Sequence, residues 1–368
     1  MKILQIVKSM NTGGLENYVR NLILYSQKKY QCDCLICEEG TSDYEDSLQI
    51  AGVKIYHIAS PDRYKINLYQ NVYHFLKEHP TYDVVHCHMA RSNGVLSKAA
   101  KDAGIKKVVC HSHGQSLNEK SSMIDHVYSS AMKCLMLKNG DAFLACSAAA
   151  GRYLYGEEFF NRHGKVIPNG IKLESFSFSE DHRQQCRREL GIKEYEFVIG
   201  HTGSLYPVKN QTLLLHLAAE FKSMGTDIKV ILVGDGGCKR SLLKQAQCEG
   251  IIENVRFVGK QSDVEPYLSA MDVFVFPSIS EGFGISLLEA EANGLPCVVS
   301  DRIQPEAKVL QNIQTVSLAD SIQQWTEAVK GMERIGRNQN ALTELAASGM
   351  DESSCYQKVC DVYEGILK

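Results

Sequence analysis

The sequence predicts an α/β protein built as two doubly wound, parallel-sheet domains. Three observations carry this. The length of 368 residues suits two domains at roughly 150 residues each. Short apolar runs alternate with longer amphipathic stretches, the rhythm of βαβ units whose sheets are covered on both faces. That rhythm begins again near Phe197, and two sets of this size exceed one open sheet.

In chain order, the first set of expected strands is Lys2–Val7, Cys32–Cys37, Lys54–Ile58, Asp83–His88, Lys107–His111, Asp141–Cys146 and Lys165–Pro168. Helical patterns such as Leu15–Gln27, Leu68–Glu78 and Gly94–Ala103 lie between them. The second set is Phe197–His201, Lys229–Val233, Val255–Val258, Asp272–Pro277, Pro296–Ser300 and Thr315–Ser317, with helices over Asn210–Ser223, Arg240–Glu249 and Ile285–Asn293. The linker is expected from Pro168-Asn169-Gly170 through Glu180. This divides the chain into residues 1–168 and 169–352, with the helical stretch 353–368 returning to the first domain.

Composition removes several classes of function. A formal net charge of −3 argues against a nucleic-acid partner held by bulk positive potential. With 8 Pro against 28 Gly and no low-complexity tract, the chain is neither disordered nor collagen-like. The first apolar run, Ile3 to Val7, is too short for a signal sequence, and no stretch reaches the ~20 apolar residues that cross a bilayer. A cytoplasmic protein is expected. The 13 Cys fit that compartment as small buried hydrophobes. Cys34 and Cys37 form a CxxC by spacing, but on a strand they point to opposite faces and read as core. Lys98, Lys101, Lys106 and Lys107 surround one helix and its exit, either as a solvated face or as a contact with anionic lipid at the inner membrane face.

In open parallel sheets, ligands bind beyond the carboxyl ends of the strands. Four loops there hold candidate chemistry. Gly13 and Gly14 follow the first strand and start a helix, a place where backbone approaches an anion; the spacing is not that of a dinucleotide fingerprint. His86-Cys87-His88 and His111-Ser112-His113 end two further strands. No metal is expected there, because no further ligand has metal-like spacing. His86 and His111 read as core, and His113, before Gly114, is the candidate to meet a substrate. The loop Gly203-Ser204-Leu205-Tyr206-Pro207-Val208-Lys209-Asn210 offers a glycine turn, a lysine and a helix start, the parts of a phosphate cradle.

The most specific stretch is Glu281-Gly282-Phe283-Gly284, followed by a helix that Gly294 and Pro296 stop. Backbone N–H groups of Gly282–Gly284 at the positive end of a helix suit a diphosphate. Glu281 lies just before that helix and Glu289 a little over one turn inside it, as acceptor-only carboxylates for sugar hydroxyls.

The pair Glu281-x7-Glu289 resembles the signature of retaining glycosyltransferase family 4, of the GT-B fold. The resemblance extends over Gly13-Gly14, Val166-Ile167-Pro168-Asn169-Gly170, Gly203–Lys209, Val233-Gly234-Asp235-Gly236, Phe276-Pro277-Ser278 and Glu281–Glu289. The stretch Glu289–Asp301, Ser317-Leu318 and Trp325 is similar to bacterial capsular and exopolysaccharide enzymes. It implies two Rossmann-like domains facing a central cleft, with an acceptor-side domain first and a donor domain second. It implies Glu281 on the donor sugar, Glu289 on the ribose, Lys209 with the Gly282–Gly284 backbone on the diphosphate, and Gly13 and Gly14 closing on donor and acceptor. His113 would contact the donor sugar near the reacting centre, with His111 the alternative two residues earlier. Gly203, Ser204, Asn210 and Phe283 complete the implied donor site.

One position departs from the family. Where an Arg commonly precedes the lysine, this chain has Ser204, and a hydroxyl does not replace a guanidinium fork on a diphosphate. Arg302 and Lys260 are the basic residues available instead.

The implied reaction moves a hexose, with retention and without a cofactor or metal, from a UDP-hexose or UDP-N-acetylhexosamine. The acceptor is a glycan or lipid-linked glycan. A UDP-sugar epimerase of the same fold and a non-catalytic sugar-binding protein are the alternatives.

Overall fold

Parallel strands require crossover connections, and the chain supplies them in two sets. The computed structural model describes residues 1–11, 13–59, 66–114 and 123–368. It divides into two compact units, Met1–Asn169 with Ser353–Lys368, and Gly170–Glu352.

The first unit holds β1 (Lys2–Val7), β2 (Gln31–Ile36), β3 (Ile55–His57), β4 (Val84–Cys87), β5 (Lys107–Ser112), β6 (Ala142–Ala145) and β7 (Gly164–Val166) in the order β3-β2-β1-β4-β5-β6-β7. Every pairing is parallel. The second holds β8 (Phe197–Thr202), β9 (Ile228–Val233), β10 (Val255–Gly259), β11 (Val273–Phe276), β12 (Cys297–Ser300) and β13 (Ile313–Val316), ordered β10-β9-β8-β11-β12-β13 and again all parallel.

The central strands are covered on both faces and so are apolar without alternation: Val273-Phe274-Val275-Phe276 is fully buried. In each sheet the order reverses at one place, between β1 and β4 and between β8 and β11. Crossovers leave toward opposite sides there, which opens a crevice at the carboxyl ends. All four expected loops follow a strand at or next to one of these reversals.

The helix Glu352–Leu367 packs into the first unit, where Cys355, Tyr356, Val359, Cys360, Val362 and Tyr363 join the core with Ile3, Val19 and Leu22. In the second unit, the helix Ile322–Ile335 starts on a capping box between Ser321 and Gln324 and buries Trp325 completely. Trp325 Nε1 donates to Ser317 O at 3.0 Å, so the indole is both packed and satisfied.

Cys34 and Cys37 are buried, as expected of core positions. Each of the four clustered lysines lies near a carboxylate: Lys98 pairs with Asp102, Lys101 and Lys107 with Asp141, and Lys106 with Asp83.

Candidate active site

The second unit assembles its candidate residues at the β8/β11 reversal. After β8, Gly203 N donates to Val233 O and Leu205 N to Asp235 O, which ties this loop to the one following β9. The two backbones touch. A Cβ on Gly234 would stand 2.0 Å from Gly203 O, and one on Gly236 2.5 Å from Leu205 O, so only glycine fits at either place. The Gly234-Asp235-Gly236 motif therefore buttresses the Gly203 turn.

The chain then makes a short turn over Pro207–Lys209, and Asn210 takes the left-handed conformation at φ 54°. Asn210 Nδ2 donates to Pro277 O at 3.3 Å, and Ile279 N donates to Val208 O at 2.8 Å. These bonds hold the β8 and β11 loops together. Across the join, Lys209 Nζ lies 2.6 Å from Glu281 Oε1, with the two side chains 18% and 10% exposed. Two residues separated by 72 positions thus form one ion pair. The face of Phe276 lies 5.8 Å from the ammonium.

Just beyond, the helix Ile285–Ala292 begins after Gly284, which sits at φ 100° and gives it no side-chain cap. Leu287 N donates to Gly284 O at 2.9 Å, and the positive end of the helix lies at this turn. The helix ends as the sequence predicts: Gly294 is left-handed, Gly294 N donates to Glu291 O and Leu295 N to Ala290 O.

Two expectations change. Phe283 is 2% exposed, so its ring belongs to the core. Glu289 is not an acceptor-only group at neutral pH. Burial raises its carboxyl to about 8, which leaves it a proton and one O–H donor.

Sequence reasoning missed three polar atoms beneath this pair. His201 Nε2, Thr202 Oγ1 and Ser278 Oγ are buried without a hydrogen-bond partner among the described residues. His201 Nδ1 is held against Val275 O at 3.0 Å, and burial lowers the ring to about 3, keeping it neutral. All three sit at the ends of β8 and β11, a signal that needs the strand order to be seen.

Ser204 offers its carbonyl to Gln211 Nε2 at 2.9 Å, and no guanidinium takes the missing arginine's place in this loop. Arg302 follows β12, one strand from β11, and its side chain is 64% exposed beside Asp301. Lys260 follows β10, two strands from β8 on the far side. The sheet order favours Arg302.

The first unit has a different kind of site. Gly13 is extended at φ −165°, and Gly14 opens the helix Gly14–Ser26. The Glu16 carboxylate folds back to where a Gly13 Cβ would be, 2.3 Å away. Thr12, between these residues and Asn11, lies outside the described residues.

His113 stands one residue past β5. Its Nε2 is 2.8 Å from His88 Nδ1, and its Nδ1 has no partner among the described residues. Burial lowers it to about 3. His111, fully buried, lies within the strand, and neither of its ring nitrogens has a partner among the described residues.

The parallel register pairs His86 with Val109 and Cys87 with Cys110, so the next step sets His88 across from His111. This brings together the two His-x-His runs that looked unrelated in the sequence. Ligand atoms of His86, His88 and His111 lie within 4.8 Å of one another, and these three residues could hold a metal ion.

Two sheets of parallel strands, each with polar loops at its reversal, fit the GT-B fold, and comparison with known proteins supplies the family. The chain belongs to glycosyltransferase family 4: Glycosyltransferase Family 4 matches residues 12–175, and Glycosyl transferases group 1 matches residues 182–350. It is 30% identical over 368 residues to the Bacillus subtilis (strain 168) protein named "Putative glycosyltransferase EpsF", covering 98% of this chain and 96% of that one. It is 31% identical over 242 residues to the Escherichia coli UDP-Gal:alpha-D-GlcNAc-diphosphoundecaprenol alpha-1,3-galactosyltransferase, across 63% of this chain and 60% of that one. The crystal structure of Anabaena Alr3699/HepE in complex with UDP-glucose superposes with a TM-score of 0.81 at 20% identity, over 99% of this chain and 100% of that one, a likeness of fold.

Proposed function

We propose that this protein is a retaining hexosyltransferase that takes a UDP-hexose or UDP-N-acetylhexosamine and glycosylates a hydroxyl of a growing surface glycan. The observation that carries this is the Lys209–Glu281 pair beside the uncapped helix at Gly284. Relatives that act on UDP-galactose and a lipid-linked acceptor, or bind UDP-glucose, support the donor and acceptor classes.

In the free chain the ammonium and the carboxylate neutralise each other. On donor binding they part: Glu281 accepts from sugar hydroxyls, and Lys209 turns to the diphosphate with the Gly282–Gly284 amides. Glu289 meets the ribose, and its proton makes it a donor as well as an acceptor there. Gly203, Ser204 and Asn210 shape the turn that presents Lys209. In the first unit, Gly13 and Gly14 offer backbone to an anion, and His113 is the candidate to contact a sugar.

As the bond from the anomeric carbon to the diphosphate oxygen breaks, charge grows on the leaving group, where Lys209 and the helix start stabilise it without a metal ion. The acceptor oxygen bonds to the same face of the anomeric carbon, and its proton passes to the departing phosphate oxygen. The acceptor is a lipid-linked glycan met at the cytoplasmic face of the membrane. No helix among the described residues is long and apolar enough to cross it.

The test is turnover of UDP-sugars with a lipid-linked glycan acceptor, read as UDP release and as product stereochemistry. An α-linked product from an α-linked donor supports the reading. Interconversion of the UDP-sugar without acceptor would replace it with an epimerase.

A further inference from the structure

We infer that His86, His88 and His111 form a binding site for a divalent transition-metal ion of the zinc class. The site belongs to the first unit, and the Lys209–Glu281 pair to the second. Residues two apart on a strand share a face, so His86 and His88 present both rings on one side of β4. The β4–β5 register then brings His111 alongside His88 on the neighbouring strand. Ligand atoms of the three rings lie within 4.8 Å of one another. Zinc–nitrogen bonds of ~2.0–2.1 Å in a tetrahedron set ligand nitrogens about 3.4 Å apart, a contraction that side-chain rotation supplies.

The hydrogen bonding fits a metal set. Rings that bind an ion have their other nitrogen fixed by a polar partner. His88 Nε2 donates to Gln5 Oε1 at 2.8 Å, which leaves Nδ1 for the ion. His86 Nδ1 is engaged by Tyr363 Oη at 2.6 Å, which leaves Nε2. Gln5 Nε2 donates to the same Tyr363 Oη at 3.1 Å, so one outer network orients both rings.

Of the nitrogens left over, His88 Nδ1 faces His113 Nε2, and those of His86 and His111 lack partners among the described residues. His86 Nε2 and both nitrogens of His111 are buried and unpaired among the described residues, with His86 and His111 fully buried. Buried polar atoms without partners are rare and call for an ion or a water. His113 Nε2 lies 2.8 Å from His88 Nδ1, at the edge of the three rings.

An all-imidazole set selects zinc, cobalt, nickel or copper over magnesium or calcium, which prefer oxygen. The ion would fasten the carboxyl ends of β4 and β5, next to His113.

The experiment loads chelator-stripped full-length protein with Co²⁺ and with Zn²⁺, followed by desalting and elemental analysis. Visible absorption of the cobalt form reads the ligand type. The expected result is one ion per chain, cobalt bands of tetrahedral intensity without thiolate charge transfer, and a higher melting temperature with Zn²⁺. His111→Phe should lose the ion, whereas serine at the exposed Cys134 and Cys248 should not. His88→Gln is the milder variant if His111→Phe fails to fold. No stoichiometric ion in the wild type, thiolate charge transfer, or full binding in a folded His111→Phe or His88→Gln would overturn the site.

Discussion

The two sheets reverse strand order in the same way and bury opposite chemistry where they do so. At the β8/β11 reversal stand a cation and an anion, partly exposed and paired with each other. At β1/β4 and the adjoining β5 stand neutral imidazoles, three of them buried. Burial, then the neighbouring rings, holds His86, His88 and His111 well below the ordinary imidazole range. Charges at a solvent boundary can change partners when a ligand arrives. Buried neutral rings tied to Gln5 and Tyr363 cannot do so cheaply, and they fix the strand ends instead. One reversal is arranged to exchange contacts and the other to hold its shape.

The largest effect expected from this contrast is on catalysis. Lys209→Ala and Glu281→Ala should each lower turnover at least roughly tenfold, because each removes a group that meets the donor. UDP release with circular dichroism as a fold control measures it. Near-normal turnover in both variants would break the comparison at its second member.

Stability sharpens it next. Trp325→Ala, in the core of the second unit, should cost about 3–5 kcal/mol by chemical denaturation. Tyr363→Phe takes one hydroxyl from the histidine network and should cost about 1–3 kcal/mol, since His86 Nδ1 and Gln5 Nε2 lose a buried partner. A Tyr363→Phe cost near zero would mean that the first unit is not held by its polar core.

A smaller effect appears in pH dependence. The Glu289 carboxyl, raised by burial from 4.5 to about 8, binds its proton more tightly folded than unfolded. Stability from this group is complete below pH 4.5 and is lost as pH rises to about 8. Glu291, also raised to about 8 by burial, adds a slope of the same sign. Glu289→Gln should flatten part of that decline in melting temperatures taken from pH 5 to 9; an unchanged slope would place the proton elsewhere.

The smallest expected change is a gain. Ser204→Arg, which restores a guanidinium before Lys209, should lower the KM for UDP-sugar several-fold with little change in kcat. An unchanged KM would show that another cation, with Arg302 the nearest by strand order, already fills the role.

Much of the second site was legible in the sequence because its signals are local. A glycine turn, a lysine before a helix, and Glu281-Gly282-Phe283-Gly284 before another helix occupy short windows, and so does the Gly294 stop. The contact between Lys209 and Glu281 was not legible, since it depends on β8 lying beside β11 rather than beside a strand adjacent in sequence. The histidine cluster was hidden for the same reason. Each His-x-His looks isolated until the β4–β5 register sets them side by side, and Tyr363 reaches His86 from 277 residues away. The proton on Glu289 and the inward turn of Phe283 come from burial, which no local pattern reports. The ion pairs of Lys101, Lys106 and Lys107 were not legible because their carboxylates, Asp83 and Asp141, arrive from other elements.

The central claim is that the β8/β11 reversal binds the diphosphate of a nucleotide sugar. The most direct measurement is thermal stabilisation by UDP, GDP, ADP and dTDP and their hexose conjugates, in the wild type and in Lys209→Ala. A ligand that binds only the folded chain raises its melting temperature by mass action. The account predicts a selective rise with UDP and UDP-sugars that Lys209→Ala largely removes. No rise with any nucleotide, or a rise that Lys209→Ala leaves intact, would contradict it.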